Sequence, residues 1–205
     1  MLKLSPPENE RKVLVHSCCA PCSSAIIECI LHNDIRPVVL YYNPNIYPLE
    51  EYEKRKNEIA RYLQHLNIQQ IDADYNHEQW LEEIKGQEEE PERGARCLTC
   101  FLDRLKVTAS YAQKLGFKIF TTTLASSRWK DLDQIFEAGR QAASLYPDTI
   151  FWNQNWRKGG LSERRNELIK ELQFYNQSYC GCEFSKINNS YSACTIYNNN
   201  QRPDN

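Results

Sequence analysis

Five short apolar runs of β-favouring residues, at positions 13–15, 37–42, 68–75, 117–124 and 149–152, alternate along the chain with segments of helical period. The helical segments fall at 23–32, 50–66, 97–115, 132–145 and 162–174 and are rich in Glu, Lys, Arg, Leu and Ala. This alternation leaves few folds open. Parallel neighbours in a sheet need a long crossover, which a helix supplies, so the predicted class is α/β: a mostly parallel sheet flanked by helices, Rossmann-like. Ligands of such sheets bind beyond the carboxyl ends of the strands, where the strand order reverses. With 41% hydrophobic residues in 205, the chain can bury one sizeable core. A single catalytic domain is expected over residues 1–185, and residues 186–205, asparagine-rich and poor in large apolar side chains, are expected to form a mobile tail.

The chemistry is concentrated in cysteine. Seven of the nine cysteines fall into three tight groups: Cys18, Cys19 and Cys22 in HSCCAPCSS, Cys97 and Cys100 in RCLTC, and Cys180 and Cys182 in YCGC. The first group follows the first predicted strand and opens the first helix, the place where such a sheet binds its ligands. There Pro21 suits an early helical position, and the free N–H groups and dipole of the helix start favour thiolates at Cys18, Cys19 and Cys22. Adjacent Cys18 and Cys19 reach a common point only if the backbone turns between them, since successive strand side chains point to opposite faces. Cys97 and Cys100, at i and i+3 on a helix, share one face. Four thiolates from Cys18, Cys19, Cys97 and Cys100 suit either a [4Fe–4S] cluster or structural zinc, and spacing alone does not choose between them.

Cys180 and Cys182 enclose Gly181, which lets the chain fold sharply. A disulfide across one residue is strained and readily reduced, which suits a pair that cycles electrons; additional metal ligands or unbonded thiols are the other reading. Cys22 is left as a neighbouring thiol or a ligand of a separate metal, and Cys29 and Cys194 are expected to be inert. His16, beside the cysteines, either donates to a thiolate or substrate or is a satisfied core histidine. The acidic run at 88–92 reads as a solvated loop.

Net charge of −2 gives no general attraction to nucleic acid, so such binding requires a local basic surface. No apolar run reaches the length of a membrane span or has the form of a signal peptide, and grouped cysteines suit a reducing compartment, so a cytoplasmic location without membrane partners is expected.

Six segments, HSCCAPCS, YYNPNIYPLEEYEKR, RCLTC with its following helix, TTTLASS, WNQNWRKGG and YNQSYCGCEFS, resemble the QueH-type epoxyqueuosine reductases, in the same order and over the chain to about Ser185. The resemblance implies an adenine nucleotide alpha-hydrolase-like fold and a [4Fe–4S] cluster. It also implies the last step of queuosine biosynthesis, two-electron removal of the epoxide oxygen from epoxyqueuosine at the tRNA wobble position. By resemblance, Cys18, Cys19, Cys97 and Cys100 are the cluster ligands, and Cys180 with Cys182 is the redox-active pair. A second, mononuclear iron held by Cys22 with Cys180 and Cys182 is the competing assignment. The implied partners are tRNA carrying epoxyqueuosine and an electron donor that the sequence does not identify.

A tRNA substrate needs cations for phosphate and aromatic faces for an unstacked base. Arg128, Trp129 and Lys130, then Trp156, Arg157 and Lys158, with Arg164 and Arg165 beyond, supply both, although such clusters are also ordinary on solvated surfaces. The aromatics of 41–47 line the pocket or belong to the core. Two rival functions are a nucleotide-activating tRNA sulfur transferase and a zinc-stabilised RNA-binding module. The first needs an SGG-x-D-S phosphate loop after the first strand, and SCCAPCS stands in its place.

Overall fold

The computed structural model describes residues 2–185. Its elements run β1 (Lys12–Ser17), α1 (Ala20–His32), β2 (Arg36–Tyr41), α2 (Leu49–His65), β3 (Gln70–Asp72) and α3 (His77–Glu83). They continue with α4 (Ala95–Lys114), β4 (Ile119–Thr122), α5 (Leu132–Ser144), β5 (Ile150–Phe151) and α6 (Leu161–Glu171). All strand pairs are parallel, in the order β3-β2-β1-β4-β5. The predicted α/β class is the observed one.

β1 lies at the centre, with Leu14 opposite Val38 on one side and Phe120 on the other. Helices cover both faces of the sheet, which is why Val13, Leu14 and Val15 are all buried and the strand does not alternate. α1 packs on α2 and α6, and α4 packs on α5. The latter pair brings Gly139 of α5 against the sheet: a Cβ added there would lie 2.2 Å from Phe151 Cε1. Gly139→Ala is therefore expected to lower stability by about 1–3 kcal/mol, read from the urea midpoint, because the methyl overpacks a rigid ring.

The edge strands are shorter than their apolar runs, three residues in β3 and two in β5. Beyond β3 the chain bends into α3, a helix that the periodicity did not reveal. Only Trp80 of its seven residues is buried, so it carries no apolar stripe. Its start is set instead by Asn76, whose side chain accepts the Gln79 N–H. α1 starts at Ala20, before the expected 23, so Cys22 falls within its first turn. Among the described residues no helix is long and apolar enough to cross a membrane. The tail after residue 185, with Cys194, lies outside the described residues.

Candidate metal centre and active-site cavity

Strand order reverses between β1 and β4, and the crevice beyond their carboxyl ends is where the first cysteine group sits. The chain leaves β1 through a bend at Cys18, whose N–H donates to Thr123 Oγ1 at 3.2 Å, just past the end of β4. Cys19 is extended and caps α1, with its carbonyl accepting from both the N–H (3.2 Å) and the Oγ (2.7 Å) of Ser23. The bend turns both neighbouring side chains to the same side. The sulfurs of Cys18 and Cys19 are 3.9 Å apart, and those of Cys18, Cys19 and Cys22 all lie within 4.8 Å of one another.

The second group comes from the start of α4. Cys97 is half-buried and accepts the Arg93 N–H at 3.3 Å, while Cys100, buried on the same helix, packs with Trp80, Ile84 and Cys182. The acidic run before it is more than a solvated loop. Arg96, buried, donates to the carbonyls of Gln87, Glu88 and Glu90, and the Glu90 carboxylate accepts the Ala95 N–H at 3.2 Å. Glu92 reaches the cavity and accepts a hydrogen bond from Ser185.

The third group is brought in by Arg55 of α2, which is buried and donates to the carbonyls of Cys180 (3.0 Å) and Tyr179 (3.3 Å) while paired with Glu51. Between the two cysteines, Gly181 has φ +107°, its carbonyl accepts the Tyr47 N–H at 2.9 Å, and a Cβ would meet Arg55 and Ile46 at 2.9 Å. Only glycine suits that backbone and that approach. A cavity of about 490 Å³ results, with Cys18, Cys22, Cys97, Cys180 and Cys182 on its walls. Thiols from all three groups thus meet one space, although they are separated by most of the chain. All are free, and Cys29 lies apart in α1 with its sulfur against the Leu2 carbonyl.

The thiols do not ionise alike. Cys18 is held well below the ordinary thiol range by hydrogen bonds from Cys19 and Cys22. Burial and the neighbouring Cys18 push Cys19 up, and the bond to Cys18 pushes Cys22 up to about 11. Burial also raises Cys97, Cys100 to about 12 and Cys182 to about 11. Taking up a metal must therefore release protons from most of these thiols. For Lys130, on the cavity wall, burial opposes the charge, but negative charge on the thiolate forms of Cys180, Cys18 and Cys22 outweighs it and raises its pKa. His16 is buried, hydrogen-bonded to Thr122 Oγ1 (2.8 Å) and the Tyr42 carbonyl (3.0 Å), and lowered by burial to about 3. It is the satisfied, neutral core histidine.

The basic and aromatic candidates divide. Trp129 is 82% exposed at the cavity rim, on a turn fixed by Arg93, which donates to the carbonyls of Trp129 and Arg128. Arg165 also lines the cavity, and Lys158 is exposed. Trp156, by contrast, is buried edge-on against Trp152 and presents no face for stacking. Arg157 donates to the carbonyls of Ser127 and Lys130, and Arg164 is held by Glu28, Glu167 and Glu171. Of the 41–47 aromatics, Tyr41 and Tyr42 are core and Tyr47 is half exposed.

Sequence reasoning passed over Arg55, Gln177 and Arg104. Gln177 Nε2 donates to the Cys19 sulfur at 2.8 Å, and Arg104 lines the cavity one helical turn beyond Cys100. Of these only Arg104 carried a signal, its i+4 spacing from a candidate ligand.

Residues 13–188 match the family model described as epoxyqueuosine reductase QueH. Among curated proteins, the chain is 49% identical to epoxyqueuosine reductase QueH of Haemophilus influenzae, covering 89% of this chain and 75% of that one. The protein of the same name from Acinetobacter baylyi is 47% identical (90% and 84% covered), and that from Thermotoga maritima 37% (85% and 90%).

Proposed function

Since this chain belongs to the epoxyqueuosine reductase QueH family, we propose that it reduces epoxyqueuosine in tRNA to queuosine with the aid of a [4Fe–4S] cluster. The observation that carries this reading is the cavity that gathers cysteines from three distant segments at the carboxyl ends of the strands. Such a donor set fits the group: thiolates are the ligands of iron–sulfur clusters, and the sulfurs of Cys18 and Cys19 already lie 3.9 Å apart. Cys18, Cys19, Cys97 and Cys100 would hold it. When bound, it supplies one-electron transfer at a potential tuned by burial and hydrogen bonds.

The remaining chemistry falls to side chains of the cavity. Removing the epoxide oxygen as water breaks two C–O bonds, forms an alkene and consumes two electrons and two protons. The Cys180–Cys182 dithiol matches that demand, because its oxidation to a disulfide releases two electrons and two protons. An external reductant must then reopen the pair for the next turnover. Lys130, whose charged form is favoured by thiolate in the same cavity, is the ammonium that can donate to the departing oxygen. Trp129 and Arg165 at the rim, with exposed Arg128 next to Trp129, offer a face for an unstacked anticodon base and charge for its phosphates.

A second reading is favoured by the position of Cys22, whose sulfur groups with those of Cys18 and Cys19 while facing the same cavity as Cys180 and Cys182. In it, Cys22, Cys180 and Cys182 hold a mononuclear iron beside the cluster. An iron-to-sulfide ratio clearly above unity in anaerobically purified protein supports this second iron, and a ratio of one removes it. Zinc in place of iron and sulfide would instead favour a structural metal and sink the reductase reading.

The direct test is anaerobic incubation of reconstituted protein with epoxyqueuosine-containing tRNA and dithionite, followed by nucleoside mass spectrometry. Loss of one oxygen mass is expected, and an unchanged nucleoside rejects the function. Cys182→Ser is expected to keep its iron and lose multiple turnover with a thiol reductant by about 100-fold or more, since one half of the dithiol is gone. Undiminished turnover in that variant rejects the redox pair and leaves the metal site standing.

A further inference from the structure

The guanidinium of Arg104 is an anomaly of the cavity floor. Its residue is only 2% exposed, it donates through Nη2 to Asn43 Oδ1, and its Nε–H has no partner among the described residues. No carboxylate among them lies within ion-pairing distance. Asp103, next along α4, feels its charge without pairing to it. The other buried arginines of the cavity are satisfied: Arg55 by Glu51 and two carbonyls, Arg96 by three carbonyls. A buried cation left without an anion is strongly disfavoured unless something negative joins it.

Asn43 holds this side chain in place, with its own Nδ2 donating to the Ser17 carbonyl at 2.9 Å, the last residue before Cys18. Arg104 is thereby anchored to the strand that carries one ligand pair and rooted on the helix that carries the other. Its side chain shares the cavity wall with Cys18, Cys22, Cys97, Cys180 and Cys182.

We propose that Arg104 is the built-in counter-charge of the cysteine-held group, its positive charge standing in the wall of the cavity that the cysteines line, so that the reduced, more negative state is favoured. It acts through the metal group, as an electrostatic and positioning residue. The inference rests on the iron–sulfur reading above. A one-electron reduction adds one negative charge beside a fixed cation in a poorly solvated space, so loss of that cation makes reduction harder.

The test compares wild type, Arg104→Met and Arg104→Lys, each as apo protein and after anaerobic reconstitution. The midpoint potential is followed by electron paramagnetic resonance in a redox titration. Arg104→Met is expected to disfavour the reduced state by about tenfold or more, a fall of about 59 mV for one electron. Arg104→Lys, which keeps the charge, is expected to lie between that variant and wild type. The apo proteins give an independent readout: an uncompensated buried charge burdens the metal-free state, so apo Arg104→Met should melt no lower than apo wild type. Reconstitution should then stabilise wild type more than the Met variant.

An apo Arg104→Met protein that unfolds or melts well below wild type makes Arg104 a structural residue and overturns the proposal. Equal potentials in all three reconstituted proteins also overturn it, with the iron–sulfur reading intact. Wild-type protein that assembles no iron–sulfur group at all sinks both.

Discussion

Cys97→Ala is expected to yield a folded protein that binds less iron and sulfide and reduces epoxyqueuosine at least about 100-fold more slowly, because one thiolate of the proposed ligand set is lost. The fold should survive. Cys97 is half-buried at the cavity wall and, among the described residues, its sulfur accepts a hydrogen bond only from the Arg93 N–H, so its loss should change stability of the metal-free protein by only about 1 kcal/mol. The helix that bears it is anchored elsewhere, by the buried side chains of Phe101, Leu105 and Ala109. Iron and sulfide assays on anaerobically purified protein, beside a melting curve of the apo form, separate the two effects. Wild-type cluster content in the variant would remove Cys97 from the ligand set, and collapse of the apo fold would show that the thiol is structural.

Trp80→Ala is expected to be strongly destabilising. The indole is buried, stacks on the His77 ring at 5.4 Å, and packs under Cys100 and Cys182 together with Ile84 and Phe184. Truncating it leaves a void that these neighbours cannot close, which costs about 3–5 kcal/mol and lowers the melting temperature by on the order of 10 °C for a chain of this size. Because the void lies behind one thiol of the second group and one of the third, cluster retention should fall with stability. Trp80→Phe should restore most of both. A melting temperature within a degree or two of wild type in Trp80→Ala would show that the small cluster around Trp80 does not brace the thiols.

Much of the architecture was legible because hydrophobic period reports burial directly. The central strands β1 and β2 each contain an unbroken apolar run, 13–15 and 37–41, and the long helices α2, α4 and α5 lie within two residues of their predicted bounds. The edges were less legible. β3 and β5 end where neighbour pairing ends, which is a property of the sheet, and α3 is held by a cap and one tryptophan. Site reading divided in the same way. Grouped thiols announce themselves by spacing, whereas basic residues do not reveal whether their charge is free. Arg157 and Arg164 looked like RNA contacts beside Arg165, and only their carbonyl and carboxylate partners show them to be internal braces.

By itself the sequence determined the parallel α/β class, the placing of HSCCAPCSS where the first strand meets its helix, and the three thiol groups, since each depends on residues a few positions apart. Only the tertiary structure decided that Arg55 draws the third group into the cavity lined by Cys18 and Cys22, and that Arg104 lies on its wall without an ion-pair partner among the described residues. Those relations join positions up to 125 residues apart. They arise from strand order and helix packing, which bring together side chains whose local sequence carries no trace of the encounter.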